Sequence, residues 1–92
     1  MEKLELKSPK SNVVHEIFIV DNIRGYNHEI EKYFDDPGML ERFEDAMKQL
    51  LQVNQITVRK GEWIFFEEEE FSVEDVTYAV YPGRTVVSII LK

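Results

Sequence analysis

Glu67, Glu68, Glu69 and Glu70 follow directly on Trp63-Ile64-Phe65-Phe66. With Glu62, Glu74 and Asp75 they place seven acids, and no Lys or Arg, between Gly61 and Arg84. Carboxylates this dense have three chemical uses: to hold a hard cation, to move protons in a pocket, or to face a cationic surface. A cation site needs several oxygens converging on one point. On one continuous strand Glu67 and Glu69 would face one side, and Glu68 and Glu70 the other, which makes no cage. No Asp-x-Asp-x-Asn/Asp-Gly loop is present, and Asp35-Asp36-Pro37-Gly38 reads better as a helix start. Acid–base work needs a pocket deep enough to shift a carboxyl pKa, which is hard to build between the two layers of one small domain. The third use remains, beside the plain one of keeping a small domain soluble. The expected partner-binding residues are Glu62, Glu67, Glu68, Glu69, Glu70, Glu74 and Asp75, with Trp63 as an aromatic anchor among them.

Other reactive groups are few. The two histidines, His15 and His28, are each followed by Glu, but neither lies in an HExxH spacing. His15 is expected on a strand and His28 on a first helical turn, both as ordinary surface or half-buried residues. Ser8, Ser11, Ser72 and Ser88 have no GxSxG elbow or SxxK lysine beside them. With no Cys there is no thiolate nucleophile, thiolate metal site or disulfide framework. Four glycines leave little for a phosphate-cradling loop, and neither GxGxxG nor GxxxxGK[ST] occurs. No catalytic residue, metal ligand or cofactor site is expected. The chain reads as a non-enzyme.

The net charge of −7, from 18 acids against 11 bases, bears on partners. Phosphate backbones and anionic membrane surfaces are met by clustered Lys and Arg, so direct binding to nucleic acid or membrane is disfavoured. The opening Met1-Glu2-Lys3-Leu4-Glu5 lacks the apolar core of a signal peptide, and no apolar run approaches the roughly 20 residues that span a bilayer. A cytoplasmic protein is expected. The profile, a small acidic α+β domain without cysteine, resembles that of phage proteins that block host defence nucleases and of immunity proteins that neutralise nuclease toxins. The resemblance is one of composition, without a residue-by-residue motif. It implies a nucleic-acid mimic that occupies a basic protein surface, with carboxylates standing where the target expects phosphates. The alternative is a small structural protein that assembles into a homodimer or larger oligomer through sheet edges.

Ninety-two residues, 43% of them apolar, suit a single domain over 1–92. Leu4 and Leu6 alternate with charges as a short strand, and Ser8 to Asn12 is a turn. Val13 to Asp21 is a second strand, apolar on both sides at Ile17-Phe18-Ile19-Val20 and therefore interior to the sheet. Residues 27–52 read as a broken helix or two consecutive helices. The first starts at Asn27; the second has Asp36 capping and Pro37 at the first position. Met39, Phe43, Met47 and Leu50 then form its apolar stripe. A second acidic concentration falls here, at Glu29, Glu31, Asp35, Asp36, Glu41, Glu44 and Asp45. After Asn54 the period changes to two, giving strands around Ile56–Val58, Trp63–Glu69, Val76–Tyr81 and Val86–Leu91 with turns at Lys60-Gly61 and Pro82-Gly83. On that reading Trp63, Phe65 and Phe71 share one parity, and Ile64 and Phe66 the other. The expected fold is α+β: a mostly antiparallel sheet of about five or six strands, order β-β-α-β-β-β-β, with the helical section on one face.

Overall fold

The computed structural model of the protein describes residues 3–20, 34 and 36–92. The fold is α+β, five strands forming one curled sheet with a helix packed on one side. The strands are β1 (Leu4–Lys7), β2 (Val13–Ile19), β3 (Trp63–Phe66), β4 (Glu69–Tyr81) and β5 (Arg84–Leu91), and the helix is α1 (Pro37–Lys48). In the sheet they run β1-β2-β5-β4-β3. Three of these pairings are antiparallel and β2–β5 is parallel. The apolar middle of β2 is interior, between β1 and β5. The first expected helix, from Asn27, lies outside the described residues, as do Glu29, Glu31 and Asp35.

Helix α1 begins where its chemistry dictates. The Asp36 carboxylate accepts the Gly38 N–H at 2.9 Å, and Pro37 occupies a position whose missing N–H costs nothing. Glu44 and Lys48 pair one turn apart at 3.1 Å. Phe43 and Met47 are buried against the sheet. The helix ends in a π turn, Gln49–Val53, closed by the Asn54 N–H donating to the Gln49 carbonyl. In that wider turn the residue four places on keeps to the inner face, so Leu51 is buried and Leu50 only half so.

Phe43 sits at the centre of an aromatic cluster. Its ring centroid is 5.3 Å from Phe34, 5.3 Å from Phe66 and 5.6 Å from Phe71. Around it lie Leu4, Leu6, Ile17, Ile19, Ile89 and Leu91, all from the helix-side face of β1, β2 and β5. The segment 55–59 does not join the sheet. The Ile56 N–H donates to the Leu50 carbonyl at 3.0 Å, tying this stretch to the helix end, and only Val58 of its side chains is buried. Alternation of Ile56 and Val58 fitted a strand, but the helix terminus claims the backbone first.

At Pro82-Gly83 the β4–β5 hairpin turns with Gly83 at φ +81°, as a type II bend with Pro leading requires. His15, on β2, is half-buried on the helix-side face. The Gln52 amide nitrogen donates to the Leu6 carbonyl at 3.0 Å and lies 3.3 Å from His15 Nδ1. That nitrogen has only hydrogens to offer, so Nδ1 accepts and the proton of the neutral ring is on Nε2. Burial lowers the imidazole pKa below its ordinary 6.5. The unfolded chain therefore takes up this proton first as pH falls, and the resulting loss of stability starts near pH 6.5 and ends below the folded-state pKa. Chemical denaturation of wild type and His15→Leu across that range should show a component absent from the variant, with a slope no steeper than about 1.4 kcal/mol per pH unit. Parallel pH profiles for the two proteins would show that His15 does not titrate this way.

Candidate interaction surface

The Glu run is not a strand but a bend. Glu67 and Glu68 form the two-residue turn of the β3–β4 hairpin, and β4 starts at Glu69. The register pairs Phe66 with Glu69, Phe65 with Glu70, Ile64 with Phe71 and Trp63 with Ser72. This corrects the parity expected for a continuous strand. Because the chain reverses, Phe71 joins Ile64 and Phe66 on the helix-side face, where it is fully buried. Trp63 and Phe65 point to the other face and are 59% and 69% exposed.

Glu67 holds φ at +52°, a left-handed conformation that side-chain-bearing residues adopt at a cost of roughly 1–2 kcal/mol. A distant residue meets this turn. Arg42 of α1 grips the Glu67 carboxylate with both arms, Nε to Oε1 at 2.7 Å and Nη2 to Oε2 at 3.4 Å. The hydrogen bond to Glu67 raises the pKa of the guanidinium above its usual value, and Asp36, 3.7 Å from Nη2, adds to the effect.

Bases from elsewhere in the chain thus enter the base-free window. Besides Arg42 on Glu67, Lys92 Nζ stands 3.8 Å from Glu74, which also accepts the Ser72 hydroxyl at 2.9 Å. Glu62 is exposed and accepts the backbone N–H of Arg59, closing the Lys60-Gly61 turn. Asp75 is exposed, binds the Val76 N–H at 2.9 Å, and follows an irregularity in β4 that sets it opposite Ile90. Glu69 is half-buried on the helix-side face. Glu68 and Glu70 are exposed and have no ion pair or side-chain hydrogen bond among the described residues.

The eight expected residues therefore divide. Trp63, Glu70 and Asp75 share one face of the sheet, and Glu68 stands at the hairpin tip. Glu67, Glu62 and Glu74 have structural neighbours that use part of their charge, and Glu69 is half-buried on the opposite, helix-side face. Phe65 belongs with the first group and was missed as a site residue. Its alternation with Trp63 was visible, but Phe71 had been assigned to the same side.

Among the described residues no group of three or more His, Asp or Glu side chains converges on a point, and no helix is long and apolar enough to cross a membrane. No family model matches the chain, and neither the curated proteins nor the solved structures include one that is significantly similar.

Proposed function

We propose that this protein is a non-enzymatic interaction module whose β3–β4 hairpin docks on a basic surface of another protein. The kind of target that fits is a nucleic-acid-binding protein such as a nuclease, whose groove is built for phosphates. One observation carries the reading: Trp63 and Phe65 stand exposed side by side on an edge strand, with the unpaired carboxylates of Glu70 across from Phe65 and Glu68 at the tip. Keeping large aromatics in water costs free energy that a covering surface recovers, and the charges beside them select a cationic cover. The Glu67–Arg42 ion pair, 2.7 Å long, joins the hairpin turn to α1.

The test is affinity capture from lysate with salt-gradient elution, followed by binding measurements on the recovered partner. Changing Glu68 and Glu70 together to Lys should leave folding almost untouched, since exposed charges are worth under about 1 kcal/mol each. Binding should weaken on the order of tenfold or more at low salt, chiefly through slower association, and the gap should narrow as salt rises. The reading is lost if the double variant binds every recovered partner as tightly as wild type at low salt. A second reading, self-assembly, is favoured by the position of β3 at the sheet edge. Sedimentation of wild type at micromolar concentration separates the two, because only the second expects a dimer that disappears when β3 is blocked with Pro.

A further inference from the structure

Strand β4 is 13 residues long, and its two flanks are not covered to the same extent. On one side β5 pairs along it, from Leu91 opposite Val73 to Arg84 opposite Tyr81. On the other side β3 pairs only with Glu69 to Ser72. Val73 adds two bonds there, its N–H donating to the Glu62 carbonyl and its carbonyl accepting the Gly61 N–H, both at 2.8 Å. The chain before Gly61 leaves for the helix end, where the Ile56 N–H meets the Leu50 carbonyl. From Val76 to Tyr81 this flank of β4 has no backbone partner among the described residues. The strand is interior to the sheet over one half and an edge over the other.

Alternation sets which groups the open flank presents. A two-residue hairpin closes on a pair that exchanges both bonds, so Tyr81, Ala79 and Thr77 bond to β5, while Val80, Tyr78 and Val76 turn their N–H and C=O outward. The Thr85 N–H agrees, because it points away from β4 and donates to the Asn12 carbonyl at 2.9 Å. The row is bounded at both ends. The Asp75 carboxylate takes the Val76 N–H at 2.9 Å, and Pro82 has no N–H to give. The free donors are those of Tyr78 and Val80. Their side chains, on the helix-side face, are 60% and 79% exposed. No charged residue falls between Val76 and Tyr81.

This row is self-complementary. Laid antiparallel to a second copy about Ala79, it sets Tyr78 opposite Val80 of the partner subunit and Val80 opposite the partner's Tyr78. Each free N–H then meets a free carbonyl, and both exposed side chains are covered as aromatic–β-branched cross-strand pairs. Ala79 falls on the twofold axis as a non-hydrogen-bonded pair, where two strands approach most closely and a methyl group fits. The antiparallel run also brings the Asp75 end of each strand beside the Arg84 end of the other, so a chain of charge −7 meets itself here through opposite charges. Arg84 lies over the Tyr81 ring at 5.2 Å and has no carboxylate partner among the described residues. Any extended strand can accept two N–H groups; the central Ala, the reciprocal Tyr–Val cover and the opposed charged ends are matched by this chain's own β4. We infer that the protein forms a twofold dimer through the open edge of β4, centred on Ala79, which joins two sheets into one. The inference does not rest on the acidic hairpin, which lies at the other end of β4, and it uses a different edge from β3.

The chain has no cysteine, so a single introduced one reports the register. Ala79→Cys places two thiols across the axis with Cα atoms roughly 4.5 Å apart, within disulfide reach, and mild oxidation should give a covalent dimer. Thr77→Cys, whose counterpart lies beyond reach because Thr77 faces the partner's Tyr81, should not cross-link under the same conditions. Sedimentation of the wild type should show a monomer–dimer equilibrium at micromolar concentration. Val80→Pro removes only an outward N–H, and Val80→Lys adds a charge at an exposed position; each should weaken dimerisation by roughly tenfold or more, with the melting temperature of the Lys variant monomer unchanged. A folded Phe65→Pro, whose N–H by the same alternation faces away from β4, should dimerise like wild type. A wild type that stays monomeric at high micromolar concentration would overturn the inference, as would dimerisation untouched by both Val80 variants. So would loss of the dimer in folded Phe65→Pro, or cross-linking of Thr77→Cys in preference to Ala79→Cys.

Discussion

Replacing Phe43 by Ala should cost about 3–5 kcal/mol of folding stability, enough to unfold a marginal domain near physiological temperature. Phe43 is fully buried, and its ring touches three other aromatics from three separate parts of the chain: Phe34 ahead of the helix, Phe66 on β3 and Phe71 on β4. Removing it opens a cavity that those rings cannot fill together, because Phe66 and Phe71 are fixed by strand register. Part of the loss is the aromatic geometry itself, about 0.5–1.5 kcal/mol per favourable pair beyond area burial. Phe43→Leu, which retains much of the volume, should cost less than half as much. Thermal and urea melts of the two variants check this. Near-wild-type melting for Phe43→Ala would mean that the helix packs on the sheet by another face.

What could be read from residues alone was whatever local chemistry decides. Asp36-Pro37 marked the helix start because a capping carboxylate and a missing N–H suit only that position. Pro82-Gly83 marked its turn because one residue fixes φ and the other tolerates a positive one. Phe43 and Met47 lay on the stripe a helix must bury. The β3–β4 hairpin was hidden for the opposite reason. Phe66-Glu67-Glu68-Glu69 contains no Gly, Asn or Pro, and the left-handed Glu67 is held by Arg42 from 25 residues away. The parallel β2–β5 pairing is likewise a long-range decision, and it brings no turn residue with it. One misplaced bend then shifted the candidate site: it put Phe71 with Trp63 and Phe65, and it sorted the four glutamates by strand parity where two of them form a turn. Neutralisation by Arg42 and Lys92 was equally out of reach, since charge counted along a window says nothing about bases that fold in from outside it.

Truncating Trp63 and Phe65 together to Ala should abolish partner binding, with each single change costing about 2 kcal/mol or more of affinity. Both rings are on the outer face of β3 and mostly exposed, so the free protein gains little from them. Folding stability should fall by less than about 1 kcal/mol per residue, in contrast to Phe43. A contact surface differs from a core in this respect: a residue that matters greatly to the complex and little to the fold is one kept exposed for the complex. The charge variants at Glu68 and Glu70 should act mainly on association and lose their effect with salt, whereas the aromatic variants should act on dissociation at every salt concentration. Measuring both rate constants for the four variants at two ionic strengths separates these roles. If Trp63→Ala and Phe65→Ala destabilise the free protein as much as they weaken the complex, the pair belongs to the core of the sheet and the hairpin is not a contact surface.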